Sequence, residues 1–346
     1  MAIDMFERRM MLAALESLPP KRTFLKDLFF SNVVTSNTEK IDVDIYKGNQ
    51  KMAAFVSPKI GSITVKKEGW KTETYTPPLI GLDDITTAED LITRSIGENV
   101  YSSKSPQERA AELLLRDMAR LDTMIEIREE WMCAKALFTG AVDVSGEGIS
   151  QNIDFGMSNT HKVTLGTGAK WTDTGVNPLT DIATWRTLIA KDSFLSADIC
   201  IMGATAAKAF LNSAEVQKLL DIRNIDLGVI RPQELPSGAK YIGSDRLSGV
   251  DYYTYEGFYV DPTTGNQTPF VPDAQVLLAS KAARTSMMYG AVTLADENTK
   301  SLLTYAESRV PDSWVSKKPA ARFIQLNARP LPVPHDIDGF VVATVL

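Results

Sequence analysis

Between residues 105 and 140 apolar side chains recur every three or four positions, the signature of an amphipathic helix. Ala111, Leu114, Met118, Leu121, Ile125 and Met132 form one stripe, and Leu113, Met124, Ile127, Trp131 and Phe138 a neighbouring one. Glu108, Glu112, Asp122, Glu126 and Glu130 lie opposite. Ser105 with Glu108 makes a capping box, Pro106 suits the first helical position, and Gly140 suits the left-handed residue that ends a helix. The pattern predicts one rod over 106–139, on the order of 50 Å long. The first stripe has coiled-coil spacing, but Arg128 falls on its seam and the second stripe makes the apolar arc too wide. The rod is therefore expected to lie across a sheet.

The same periodicities organise the rest of the chain. Ile3, Phe6, Met10 and Ala13 predict a short helix over 3–17, closed by Pro19 and Pro20 and followed by the apolar cluster Phe24, Leu25, Leu28, Phe29 and Phe30. From 38 to 82 the pattern turns extended: Ile41, Val43 and Ile45 alternate with Asp42 and Asp44, and MAAFVSP (52–58) and KTETYTPP (71–78) follow. A strand-like stretch of this length without a helix predicts a long projecting hairpin. Beyond Gly140, residues 153–155 and 162–165 are expected to pair as a hairpin. Asn177 and Pro178 open a helix carrying Leu179, Ile182, Trp185, Leu188 and Ile189. DICIM (198–202) and 276–279 are buried-strand candidates, with helices predicted at 204–212 and 214–222 and a turn at PTTGN (262–266). ARFIQLN (321–327) alternates again, Pro330, Pro332 and Pro334 follow, and the apolar run 340–346 is expected to pair against a sheet. The fold class is α+β.

Composition narrows the function. With 44% hydrophobic and 23% charged residues, 346 residues can form a sizeable core. A net charge of −6 argues against a surface that grips nucleic acid. Cys133 and Cys200 suit reduced, buried thiols better than a disulfide. No stretch reaches the length needed to span a bilayer, and Asp4, Glu7, Arg8 and Arg9 break up any signal-peptide pattern.

Chemistry is sparse. His161 and His335, the only histidines, have no metal-ligand neighbours and read as surface or hydrogen-bonded loop residues. LGTGAKW (165–171) lacks the glycine spacing of a phosphate loop and reads as a turn. Asp83, Asp84, Glu89 and Asp90 lack the order of a calcium loop and read as a solvated face or helix start. No serine-nucleophile elbow occurs. Catalytic, cofactor and metal residues are all expected to be none, and the chain is not expected to be an enzyme.

TEKI (38–41), MAAFVSP (52–58), FVPDAQVLLA (270–279), RTSMMYGAV (284–292), VPDSWV (310–315) and PAARFIQLNARPLPV (319–333), in this order around the long helix, resemble the lambda-like capsid protein E family of tailed-bacteriophage major capsid proteins. The resemblance implies the Hong Kong 97-type capsid fold. Its N-terminal arm would be 1–37 and its extended E-loop hairpin 38–82. A peripheral domain would take 83–175 and 296–346, with spine helix 106–139, and an axial domain 176–295. It also implies self-assembly into hexamers and pentamers, an icosahedral shell around double-stranded DNA without sequence-specific binding, portal and scaffold partners with a possible decoration protein, and residence in the virion after assembly in the host bacterial cytoplasm. Phe55, Val56, Pro58, Trp70 and Tyr75 are the expected inter-subunit contacts, being large apolar groups on a hairpin with little core of its own. Some capsids of this fold join a hairpin lysine to an asparagine; here Lys66, Lys67, Lys71 and Asn327 occupy such regions, but the lambda-like group implies noncovalent contacts. An encapsulin-like compartment shell and a soluble α+β enzyme are the competing readings.

Overall fold

The computed structural model describes residues 8–17, 23–45, 71–87, 89–90, 105–146, 148–221, 233–235, 237–245, 248–296, 301–318 and 320–346. The chain opens with helices α1 (Arg8–Ser17) and α2 (Leu25–Phe29) and strand β1 (Val33–Thr35). Strands β2 (Ile41–Ile45) and β3 (Lys71–Tyr75) pair antiparallel and form the base of the expected hairpin. Residues 46–70, with Phe55, Val56, Pro58 and Trp70, lie outside the described residues. Strand β4 (Ile80–Thr87) follows.

Helix α3 (Pro106–Thr139) is the long rod, begun and ended by the residues that signal it. The Ser105 hydroxyl accepts the Glu108 N–H, and the Glu108 carboxylate accepts the Ser105 N–H at 2.8 Å. Gly140 closes it at φ 70°. A side chain there would be strained, and its Cβ would come within 2.5 Å of Met157 Cβ. Leu114, Met118, Leu121, Ile125 and Met132 of the first stripe are buried, whereas Met124 of the second is 49% exposed.

Strands β5 (Ala141–Gly146) and β6 (Ile149–Asp154) form a hairpin of their own. The pairing expected between 153–155 and 162–165 does not form, because β6 already has its neighbour in β5. Strand β7 (Lys162–Thr164) instead lies parallel to the last strand of the chain. Then come α4 (Pro178–Asp192), capped by the Asn177 side chain on the Leu179 N–H at 3.0 Å, β8 (Ile199–Met202), α5 (Ala204–Asn212) and α6 (Ala214–Asp221). The described elements that follow are mostly strands: β9 (Gln233–Glu234), β10 (Ala239–Asp245), β11 (Val250–Tyr255), β12 (Phe258–Val260), β13 (Gln267–Pro269), β14 (Gln275–Ala279) and β15 (Thr285–Tyr289). They continue as β16 (Val292–Asp296), β17 (Ser301–Tyr305), β18 (Val310–Lys317), β19 (Ala320–Ala328), β20 (Pro330–Pro334) and β21 (Phe340–Thr344).

Three sheets carry the packing. The N-terminal half of α3 lies over β18-β19-β4, where Leu114, Met118, Leu121 and Ile125 meet Ile324, Leu326, Ala328 and Met11 of α1. Its C-terminal half packs on β1-β15-β20, on α2 and on one face of a seven-stranded sheet of order β7-β21-β14-β8-β11-β10-β9. The other face of that sheet is covered by α4, α5 and α6. Strand β8 shows why ICIM is apolar throughout: Ile199 and Ile201 face the α3 side, Cys200 and Met202 the α4 side. Strand β20 holds prolines at alternate positions, 330, 332 and 334, paired with β15 on one side only. The odd-numbered N–H groups of an edge strand can point to its neighbour while the ring nitrogens point away, so the prolines remove no ladder bond.

The last strand of the chain joins the largest sheet. Strand β21 lies between β14 and β7 inside the seven-stranded sheet, pairing antiparallel with β14 and parallel with β7.

Candidate functional site

Most of the chemistry-bearing residues singled out above are held by internal partners. His161 is buried, with Nδ1 2.8 Å from the Phe340 carbonyl and Nε2 2.9 Å from Asp192. His335 Nε2 lies 2.6 Å from the Ser286 hydroxyl. In the glycine-rich turn, the Gly168 and Lys170 N–H groups donate to the Asp173 carboxylate at 2.8 and 3.1 Å, so the chain supplies its own anion. Asp84 pairs with Arg120, and Asp90 accepts the Thr87 N–H and hydroxyl. Cys133 and Cys200 are free and buried, and burial pushes both thiols up. Among the described residues no cluster of His, Cys, Asp or Glu could hold a metal ion.

What the fold organises instead is a set of attachments around α3. Glu130 was placed opposite the apolar stripes, yet it is buried. Its carboxylate accepts the N–H groups of Phe24, Leu25 and Lys26 at 3.1, 2.8 and 2.9 Å. Those donors open α2, whose own preceding residue, Phe24, offers no cap, so a side chain from another element caps the helix. Burial raises the Glu130 carboxyl in spite of these three bonds. Glu129, equally buried, takes the Lys26 ammonium at 2.6 Å, the Tyr289 hydroxyl at 3.0 Å and the Arg309 guanidinium at 2.6 Å. Arg309 also holds Asp122 at 2.7 Å. Burial alone would raise Glu129; Arg309 and Lys26 hold it below its ordinary value. Two consecutive glutamates thus tie α2, β15 and the chain before β18 to one turn of the rod. The sequence offered only an indirect sign of them: the first stripe breaks between Ile125 and Met132, where Arg128 falls on the seam and Glu129 beside it.

Helix α1 is attached separately. Arg8 donates to the Pro311 carbonyl at 3.1 Å and to Asp312 at 2.7 Å, and also to the Tyr305 hydroxyl. Tyr75 lies at the hairpin base, in β3. It is only 8% exposed, its ring lies 5.7 Å from that of Phe155, and its hydroxyl donates to the Asp154 carbonyl and to Glu73. Its apolar surface is used within the chain and anchors the base of the hairpin.

Apolar surface remains open elsewhere. Ile85 on β4, 51% exposed, stands directly opposite Phe323 on β19, which stands opposite Trp314 on β18. The Trp314 and Phe323 rings stack at 5.2 Å, and this row lies on the face of the sheet away from α3. Leu302 on the β16-β17 hairpin is 74% exposed, and Phe258 and Val260 on β12 are 59% and 60% exposed.

A long helix laid over a three-stranded sheet, with a separate sheet-and-helix body, an arm and a hairpin base, is the Hong Kong 97-type fold of phage capsid subunits. The structure superposes with a TM-score of 0.71 on a prophage capsid protein from Escherichia coli CFT073, 21% identical, covering 98% of this chain and 99% of that one. It superposes at 0.57 on a phage-related protein from Bordetella bronchiseptica RB50, 10% identical, covering 97% and 95%. The chain matches the family Phage major capsid protein E over residues 7–345 and belongs to it. Among curated proteins it is 25% identical to the P21 prophage-derived major head protein of E. coli CFT073, over 99% of this chain and 100% of that one. It is 24% identical to the major capsid protein of Escherichia phage lambda, over 98% of each. The chain is accordingly a structural protein of the virion, a major capsid protein whose copies assemble into the shell, and not an enzyme.

Proposed function

We propose that copies of this chain form hexamers and pentamers that close an icosahedral shell around packaged double-stranded DNA, after assembly in the cytoplasm of a host bacterium. The observation that carries this is the family match running from residue 7 to 345, which takes in the arm, the hairpin, the rod and the terminal strand together. A portal at one vertex, a scaffold during assembly and a decoration protein are the partners this reading brings with it. The net charge of −6 suits a lining that lets DNA slide without sticking.

Strand pairing supports a division into an arm (1–37), a projecting hairpin (38–79), a peripheral domain (80–158 with 285–334) and an axial domain (159–284 with 335–346). Phe55, Val56, Pro58 and Trp70 of the hairpin are proposed contacts with a neighbouring copy. The open row Ile85–Phe323–Trp314 is apolar surface of the kind a neighbour covers.

The test is to express the full chain, with a scaffold supplied if needed, and to examine the purified protein by negative-stain microscopy and light scattering. Shells, tubes or ring-shaped capsomers are expected. A single species near 38 kDa at every salt and protein concentration, scaffold present, would refute the reading.

A further inference from the structure

The second apolar stripe of α3 stays open along the middle of the rod. Met124 is 49% exposed and Ile127 half-buried, and neither joins one of the three buried clusters. Trp131 packs against the core, and its indole N–H donates to the Tyr259 hydroxyl at 3.2 Å, which fixes the ring. The positions 124, 127 and 131 have the three-then-four spacing of a seam for a second helix. Arg128 and Lys135 stand four residues beyond Met124 and Trp131, the flanking positions whose charges choose a partner in a coiled coil. Both charged ends lie over the Trp131 ring, 4.9 and 5.9 Å from its centre. No acidic residue lies three or four positions from either along α3, and among the described residues neither makes an ion pair. Two cations beside an apolar seam thus lack counter-charges in a chain of net charge −6.

We propose that this face of α3 docks an acidic amphipathic helix of another protein, its apolar stripe on Met124, Ile127 and Trp131 and two carboxylates on Arg128 and Lys135. A second copy of α3 is a poor occupant. Antiparallel pairing would set Arg128 and Lys135 against the same cations, and parallel pairing would offer them Thr123 and Glu130, the latter already taken by the N–H groups of α2. DNA is a poor occupant too, because two cations would neutralise only about two phosphates and Met124 and Ile127 would go unused. An acidic helix uses all five side chains, and the fixed indole leaves little to be ordered on docking.

The test titrates the full chain, in the assembly state in which it is purified, into a fluorescently labelled peptide of about three heptads with Leu at the seam positions and Glu at the flanking ones. Fluorescence anisotropy is compared with that of a scrambled peptide of the same composition and of a short DNA duplex. Saturable binding of the acidic peptide that weakens with salt is expected, with little from the other two probes. Arg128→Gln combined with Lys135→Gln should weaken it about fivefold or more. Met124→Glu, which sets a like charge on the seam, should weaken it as well. Circular dichroism and assembly of both variants should match the wild type. No binding, equal binding of the scrambled peptide, tighter binding of the duplex or full binding by the double variant would overturn the proposal. Failed assembly of a folded variant would assign the face to a second copy of this chain and overturn it too.

Discussion

Replacing Glu130 tests the idea that one buried side chain caps the arm helix from outside. In Glu130→Ala the N–H groups of Phe24, Leu25 and Lys26 lose their acceptor. Phe24 and Leu25 are themselves buried, at 4% and 0% exposure, so water reaches their amides poorly. Two buried orphan donors at about 1–3 kcal/mol each give roughly 2–6 kcal/mol. Removing a carboxylate whose burial is itself unfavourable returns part of this. The expected net loss is about 2–4 kcal/mol in the stability of the docked segment, or roughly 30- to 1,000-fold in its opening equilibrium at 1.4 kcal/mol per tenfold. Glu130→Gln keeps one carbonyl oxygen for two of the donors and should lose about 1–2 kcal/mol. The assay is hydrogen exchange at residues 24–26, read against β14 in the same sample. Since the Glu130 carboxyl is raised above its ordinary 4.5, its contribution is fullest below that value and is lost as pH rises through the folded value. Glu130→Gln should lack that decline. If Glu130→Ala changes exchange at 24–26 by less than about twofold, the cap is unimportant and the reasoning fails.

Leu121→Pro removes an α3 hydrogen bond, clashes with the preceding turn and deletes a buried side chain, a loss of about 3 kcal/mol or more. Insoluble protein is expected; a soluble, assembling variant would show that the rod need not be continuous. Phe55→Ser with Trp70→Ser should leave circular dichroism unchanged while shells no longer close, and global unfolding would instead place those residues in the subunit core. Mature particles boiled in SDS should release one band near 38 kDa, because Asn327 is 2% exposed and sits inside β19. A ladder of multimers that survives reductant would contradict this.

Local signals were decisive wherever the chain meets itself within one or two turns. Ser105, Glu108, Pro106 and Gly140 mark the ends of α3, and Asn177 with Pro178 marks the start of α4, because capping joins residues only a few positions apart. The apolar stripe and the alternating run named the core faces of α3 and β19, since periods of 3.6 and 2 are properties of the backbone itself, and continuous apolar runs marked β8 and β14 as strands buried on both faces. The motifs around the rod also carried the family and the fold.

Only the tertiary structure could decide pairings between distant segments. Whether 162–164 joins 153–155 or the last strand depends on which neighbour is already taken, and no local period records that. Tyr75 reads as an exposed hairpin residue until Phe155 and the Asp154 carbonyl are placed beside it. Glu129 and Glu130 have the side chains of a solvated face. They are buried because Lys26, Arg309 and three α2 amides, over a hundred residues away in sequence, supply the cations and donors that make burying a carboxylate tolerable.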